Sequence, residues 1–107
     1  DAKYHMESVQ NYIRGKMTKA EFWIAEFIDA IMKAKDMGVS KDVLEKAYDL
    51  QYDANLYWEW WTAENSDGFH NPDVARESLT RSIDSSQAGI KMLKEEMAKM
   101  KASMAAK

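Results

Sequence analysis

The sequence predicts an all-α fold of three long antiparallel helices, preceded by a short N-terminal helical segment. Only one Pro and four Gly occur among 107 residues, so few positions interrupt a helix. Apolar residues also recur three and four positions apart over long stretches, which is the period of an amphipathic helix. Because a chain of this length supports one modest core, we expect residues 1–107 to form a single helical domain.

Composition excludes several classes of function. The formal net charge is -3, so neither a nucleic acid nor an anionic membrane surface is an expected partner. No apolar run is long enough for a transmembrane helix. The absence of cysteine excludes disulfides, thiolate metal sites and covalent haem attachment within this chain. The chain begins with Asp1 instead of Met, which favours a processed product or a fragment of a larger protein.

The first predicted elements are a loosely helical segment over residues 2–14 and a stronger helix from Lys19 to about Lys35. Gly15 is the expected end or kink of the first segment. Thr18 and Glu21 have the spacing of a capping box, in which each side chain binds the other residue's backbone amide. The apolar stripe of the stronger helix consists of Ala20, Ile24, Phe27, Ile28, Ile31 and Ala34. Gly38 is the expected helix stop, because glycine adopts left-handed angles without strain.

Ser40 is the predicted cap of a second helix that runs to about Ala63. Its apolar stripe consists of Val43, Ala47, Leu50, Ala54, Tyr57 and Trp61, with Leu44, Tyr48 and Trp58 beside it. This band is too wide for a helix with one neighbour. We therefore expect the helix to contact neighbours on two sides or a flat apolar partner.

Asn71 and Pro72 predict the start of the third helix, because Asn caps free amides and Pro at the first position loses no hydrogen bond. This helix is expected to reach the end of the chain. Its predicted core positions alternate four and three apart, which is a coiled-coil-like seam. The seam consists of Leu79, Ile83, Ser86, Ile90, Leu93, Met97, Met100 and Met104. At about 1.5 Å per residue the helix would be roughly 50 Å long, and we expect its Met-rich end to extend beyond the shorter helices.

His70 is the candidate for chemistry. It lies beside Phe69 in the turn between the second and third helices, close in sequence to three tryptophans. A neutral imidazole is a common ligand of metals and of haem iron. The plain alternative is a loop histidine hydrogen-bonded near a helix start, and a metal site formed with Asp67 or Asp73 is a further possibility. His5, near the start of the chain, is interpreted as an ordinary surface histidine.

Aromatic residues are concentrated in the second helix. The group consists of Tyr48, Tyr52, Tyr57, Trp58, Trp60 and Trp61. Such a group is either ordinary core or a platform for a large planar cofactor. The number of rings exceeds what a three-helix core needs, so some are expected to face outward and mark a partner surface.

The residues around the second turn resemble a known family. The segments that carry the resemblance are Tyr57–Trp60, Ala63–Pro72, Ala75–Arg76, Leu79 and Ser82–Asp84. They resemble the C-terminal part of ammonia-forming cytochrome c nitrite reductases, which are periplasmic pentahaem enzymes that reduce nitrite with six electrons. The similar segments cover about a third of the chain, and the flanking helices agree only in order and length.

The resemblance implies a role for each part of the chain. His70 would be the distal axial ligand of a haem c that is attached outside this chain, in a haem-binding domain. Trp58, Trp61 and Phe69 would pack against that haem or its domain. The last helix would form a homodimer, and the residues expected at its interface are Ile83, Ile90, Leu93, Met97, Met100 and Met104.

The chain also departs from the family pattern. The haem-attachment motifs are missing, and no catalytic residue of the family has a counterpart here, so the chain alone is not expected to reduce nitrite. The resemblance therefore implies the C-terminal helical domain of a larger multihaem protein. The alternative is a stand-alone helical bundle that mediates protein interaction without haem.

Overall fold

The computed structural model describes the backbone of residues 2–66 and 72–106, and the side chains of residues 15–63 and 76–106. Three helices account for this backbone: α1 spans Ala2–Met37, α2 spans Lys41–Ser66 and α3 spans Pro72–Ala105. No strand occurs in these ranges. The all-α prediction is therefore confirmed, and the third helix begins at Pro72, the proline predicted to start it.

The N-terminal prediction is wrong in one respect. Instead of a short segment followed by a helix from Lys19, α1 is continuous through Gly15 and Thr18. A glycine inside a helix costs only about 1 kcal/mol relative to alanine. Arg14 before Gly15 and Lys16 and Met17 after it are good helix formers, and they offset part of this cost. The capping-box interpretation of Thr18 and Glu21 fails for the same reason, because Thr18 lies inside the helix.

The end of α1 and the start of α2 follow the local signals. Gly38 has a φ of 85°, and the Val39 and Gly38 amides donate to the Ala34 and Lys35 carbonyls at 3.0 and 3.1 Å. This is the Schellman arrangement, in which the glycine satisfies the last carbonyls of the helix. Ser40 then caps α2, where its Oγ accepts from the Val43 amide at 3.4 Å.

Two buried clusters fix the directions of the helices. The first cluster contains Phe27, Ala30, Ile31, Ala34, Val39, Ala47, Ile90 and Leu93. The second, here called the tryptophan cluster, contains Ala20, Trp61, Leu79 and Ile83, with Met17, Trp23 and Trp58 packed against it. From the first cluster to the second, residue numbers decrease along α1 and α3 but increase along α2. The helices therefore run up, down and up, so neighbours in sequence are antiparallel.

Helix α3 is the central element of the packing. It contacts both other helices extensively, whereas α1 and α2 contact each other much less. On α3, Ser82 is fully buried and its hydroxyl donates to the Ala54 carbonyl of α2 at 2.8 Å. The buried Ser86 hydroxyl, one turn further along α3, has no partner among the described residues. Small side chains at these positions let the two helices approach closely.

The seam of α3 faces the chain's own helices, which corrects the predicted dimer interface. Ile83, Ile90 and Leu93 are buried in the two clusters. Met97 and Met100 are half-buried against the first cluster. Only Met104, which is 70% exposed, lies on the seam without covering neighbours. The predicted overhang of α3 is thus limited to about its last turn, where every side chain from residue 101 to residue 106 is exposed.

Candidate functional site at the α2–α3 end of the bundle

The candidate site lies where α2 ends at Ser66 and α3 begins at Pro72. The two predicted residues of the connection, Phe69 and His70, lie outside the described residues, and so do Asp67 and Asn71. The description of the site therefore rests on the helix ends on either side. Those helix ends lie at the end of the bundle that carries the tryptophan cluster, away from the α1–α2 turn.

The two predicted tryptophans point inward. Trp61 is 7% exposed and packs with Ala20, Leu79 and Ile83. Trp58 is half-buried against the same cluster. Because the Trp61 ring is already covered by this chain, little of its surface is free for another molecule. That Trp61 packs against a haem remains a prediction, and the same holds for Trp58.

Trp58 has one unusual feature. Its indole Nε1–H is buried and has no hydrogen-bond partner among the described residues. Buried donors are almost always paired, and an unpaired one costs about 1–3 kcal/mol. The Trp58 backbone carbonyl, in contrast, accepts a hydrogen bond from the Thr62 hydroxyl at 3.0 Å. Only the ring end of this residue is left unsatisfied.

The aromatic group of α2 is divided between two sides of the helix. Tyr57, Trp58 and Trp61 face the bundle, whereas Tyr48, Tyr52 and Trp60 are 41%, 67% and 61% exposed. The rings therefore do not form one platform for a planar cofactor. The expectation that some of them face outward is confirmed.

A polar group beside Tyr57 was not predicted from the sequence. Arg81 of α3 donates to Glu77 at 2.7 Å and to the Tyr57 hydroxyl of α2 at 3.5 Å. Its guanidinium carbon also lies 5.6 Å from the centre of the Tyr57 ring. The hydrogen bond with Tyr57 and the charge of Glu77 raise the pKa of Arg81 above its ordinary value. The spacing of Glu77 and Arg81, one helical turn apart, was the available signal for part of this group.

The donor atoms of the chain limit how it can hold a cofactor. Covalent attachment of haem c needs cysteine thiols, and the chain has none. Its two histidines, His5 and His70, have side chains outside the described set. Within the part of the chain that the structure describes, no three His, Asp or Glu side chains converge to hold a metal ion. The composition therefore fits a chain to which no haem c is covalently attached.

The comparison with protein families decides the affiliation. Residues 2–106, nearly the whole chain, match the cytochrome c552 family. The chain belongs to the cytochrome c552 family. This family is related to nitrite reductases, and its members carry haem c and are typically periplasmic. No curated protein matches the chain. Among the described residues, no helix is both long and apolar enough to cross a membrane.

Proposed function

We propose that this chain is the helical domain of a multihaem, nitrite reductase-type cytochrome c, in which it lies C-terminal to the haem-binding domain. In this proposal it supplies His70 as the distal axial ligand of one haem c in the periplasm. The observation that carries the proposal is the cytochrome c552 match over residues 2–106 in a chain without cysteine. In this proposal the haem is attached to another segment of the protein, because covalent attachment needs cysteine.

The position of the α2–α3 connection supports this role for His70. The connection joins two helices of 26 and 34 residues, both of which are anchored in the tryptophan cluster. By sequence, His70 falls between these two helix ends, so in this proposal the haem contacts this end of the bundle. When bound, the haem iron would supply the electron-transfer chemistry, and His70 would contribute an imidazole nitrogen.

A homodimer belongs to the proposal in a changed form. Since Ile83, Ile90 and Leu93 are buried within the chain, the contact cannot use the seam as first predicted. We place it at the exposed end of α3 around Met104, where the seam continues beyond the other helices. Partner contact there would cover an apolar side chain that this chain leaves in water.

The test of the haem role is a titration of the purified chain with haemin, followed by absorption. We expect a histidine-ligated spectrum that is lost in His70→Ala and retained in His5→Ala. His5→Ala is the matched control because these are the only two histidines. No binding, or binding that is equal in all three proteins, would contradict a ligand role for His70.

The second candidate is a stand-alone helical module that mediates protein interaction without haem. The exposed large apolar side chains of α2 favour it, because such side chains cluster at partner surfaces. The same titration separates the two candidates, since this module predicts no haem spectrum at all.

A further inference from the structure

The outer side of α2 has a repeating pattern of large apolar side chains. Tyr48, Tyr52, Leu56 and Trp60 follow one another at four-residue steps, and their side chains are 39–67% exposed. At about 100° per residue, each such step turns about 40° around the helix. The four side chains therefore form one slanted row across the side of α2 that lies opposite the buried Ala47 and Ala54.

Acidic side chains accompany this row. Glu45, Asp49, Asp53 and Glu59 are all exposed and lie beside or between the four apolar residues. None of these carboxylates forms an ion pair within the described ranges of the chain. The two lysines of α2, Lys41 and Lys46, occur only near its start. From residue 47 onward the outer face thus combines rings with uncompensated negative charge.

We define the acidic aromatic face of α2 as Glu45, Tyr48, Asp49, Tyr52, Asp53, Leu56, Glu59 and Trp60. Such a face repels nucleic acids and anionic membranes, since both carry negative charge. It suits cationic side chains, which can stack on the rings and pair with the carboxylates. Guanidinium groups do both at once, because they are planar and carry several donors.

The described part of the chain contains this combination at Arg81. Arg81 lies over the ring of Tyr57 and donates to the carboxylate of Glu77 at 2.7 Å. That group joins α3 to α2 with one arginine, one tyrosine and one acid. On the outer face of α2, a tyrosine and an acid are also adjacent, as in Tyr52 with Asp49 or Asp53, but the arginine is missing. An arginine of another protein can complete the same arrangement.

We propose that the acidic aromatic face of α2 is a docking surface for a basic protein segment that presents arginine or lysine side chains along a helix. This surface is separate from the α2–α3 connection, so the proposal does not depend on the role of His70. Spacing supports a helical partner, because cationic side chains four residues apart on that partner match the four-residue repeat of the rings.

The probe for this proposal is an alanine-based helical peptide with arginines four residues apart on one face. Its control is the same peptide with each arginine replaced by citrulline, which keeps the shape and removes the charge. By calorimetry at low ionic strength, we expect the dissociation constant of the citrulline peptide to be at least about tenfold higher than that of the arginine peptide. Added salt should weaken binding of the arginine peptide, because the pairs are exposed.

Matched variants locate the binding surface. Tyr52→Ala combined with Trp60→Ala should weaken peptide binding about tenfold, whereas Phe22→Ala, at an exposed ring on α1, should leave it unchanged. Asp49→Asn with Glu59→Gln should also weaken binding. The charge control, Asp84→Asn with Glu95→Gln on α3, alters net charge equally and should have little effect. All these side chains are exposed, so each variant is expected to keep the helical circular dichroism of the parent.

Three results would overturn the proposal. Equal losses in the face variants and in the α3 control would mean that the peptide responds to net charge alone. Equal binding of the arginine and citrulline peptides would mean that the rings act as a purely apolar surface. Self-association of the parent chain that is abolished by Tyr52→Ala with Trp60→Ala, measured by sedimentation, would identify a second copy as the occupant.

Discussion

Gly89 of α3 lies directly against the ring of Phe27 on α1. A Cβ atom built on Gly89 would overlap three carbon atoms of that ring. Phe27 is 1% exposed and is packed within the first buried cluster, so its ring has little room to move away. The glycine is therefore required by packing and not by backbone conformation, since its φ is an ordinary helical one.

Gly89→Ala is expected to destabilise the fold. The overlap costs about 1–3 kcal/mol, while the higher helix propensity of alanine returns up to about 1 kcal/mol. We expect a net loss in the free energy of unfolding, measured by urea denaturation. Adding Phe27→Leu should recover part of the loss, because the smaller side chain makes room for the new methyl group.

Gly15→Ala is the matched control for this substitution. Gly15 also lies inside a helix, but nothing is found within 4 Å of a Cβ atom placed there. The same change should therefore stabilise the chain by about 0.5–1 kcal/mol through helix propensity. A loss at Gly15 similar to that at Gly89 would show that packing against Phe27 is not the cause.

At the scale of single elements, the end of α1 depends on Gly38. Its φ of 85° lies in the left-handed region that side chains with a Cβ rarely adopt. Gly38→Ala is expected to lower the free energy of unfolding by about 1 kcal/mol. Gly38→Asn should lower it less, because asparagine tolerates this region better than alanine does.

Thermal unfolding of the three proteins tests this ranking. The space around Gly38 is open, so a steric contribution does not complicate the comparison. Equal midpoints for glycine and alanine would contradict the assignment of strain to this position. The expected order of midpoints is glycine, asparagine and then alanine.

The helix ends show what the sequence could and could not predict. Gly38, Ser40 and Pro72 were predicted correctly because each carries a backbone requirement or a capping atom of its own. The N-terminal break was wrong because Gly15 and Thr18 only weaken a helix, and the residues around them continue it. The sequence thus predicted helix ends correctly where a residue requires a non-helical backbone or supplies a cap. It failed where a residue only lowers helix propensity.

The site was less predictable than the fold for a physical reason. Periodicity identifies an apolar seam but not the partner that covers it, so Ile90 and Leu93 were assigned to a dimer when they pack inside the chain. The Arg81–Tyr57 contact joins residues on different helices, and no local pattern carries such information. The role of His70 rests on motif resemblance, which periodicity cannot supply.

At the scale of the whole molecule, the bundle is a rod of 67 × 21 × 17 Å. The exposed end of α3 is the surface that we propose for the homodimer. Met104→Glu should therefore shift the sedimentation of a concentrated sample from dimer to monomer, because a buried charge opposes apolar contact. Met32→Glu introduces the same charge at an exposed methionine of α1 and should leave the dimer intact.

Sedimentation equilibrium over a range of concentrations measures this shift. A parent chain that stays monomeric at the highest concentration would contradict the proposed homodimer. Dissociation by both glutamate variants would place the contact elsewhere, because only one of the two positions lies on the end of α3.

The central position of α3 has a consequence for the order of events during synthesis. Helices α1 and α2 leave the ribosome first, yet they share few contacts with each other. The Phe27 ring can pack against Gly89, and the Ala54 carbonyl can accept from the Ser82 hydroxyl, only after those residues of α3 have been translated. Until then, the apolar sides of α1 and α2 stay in water. Stable tertiary structure therefore forms late, once most of α3 has emerged from the ribosome.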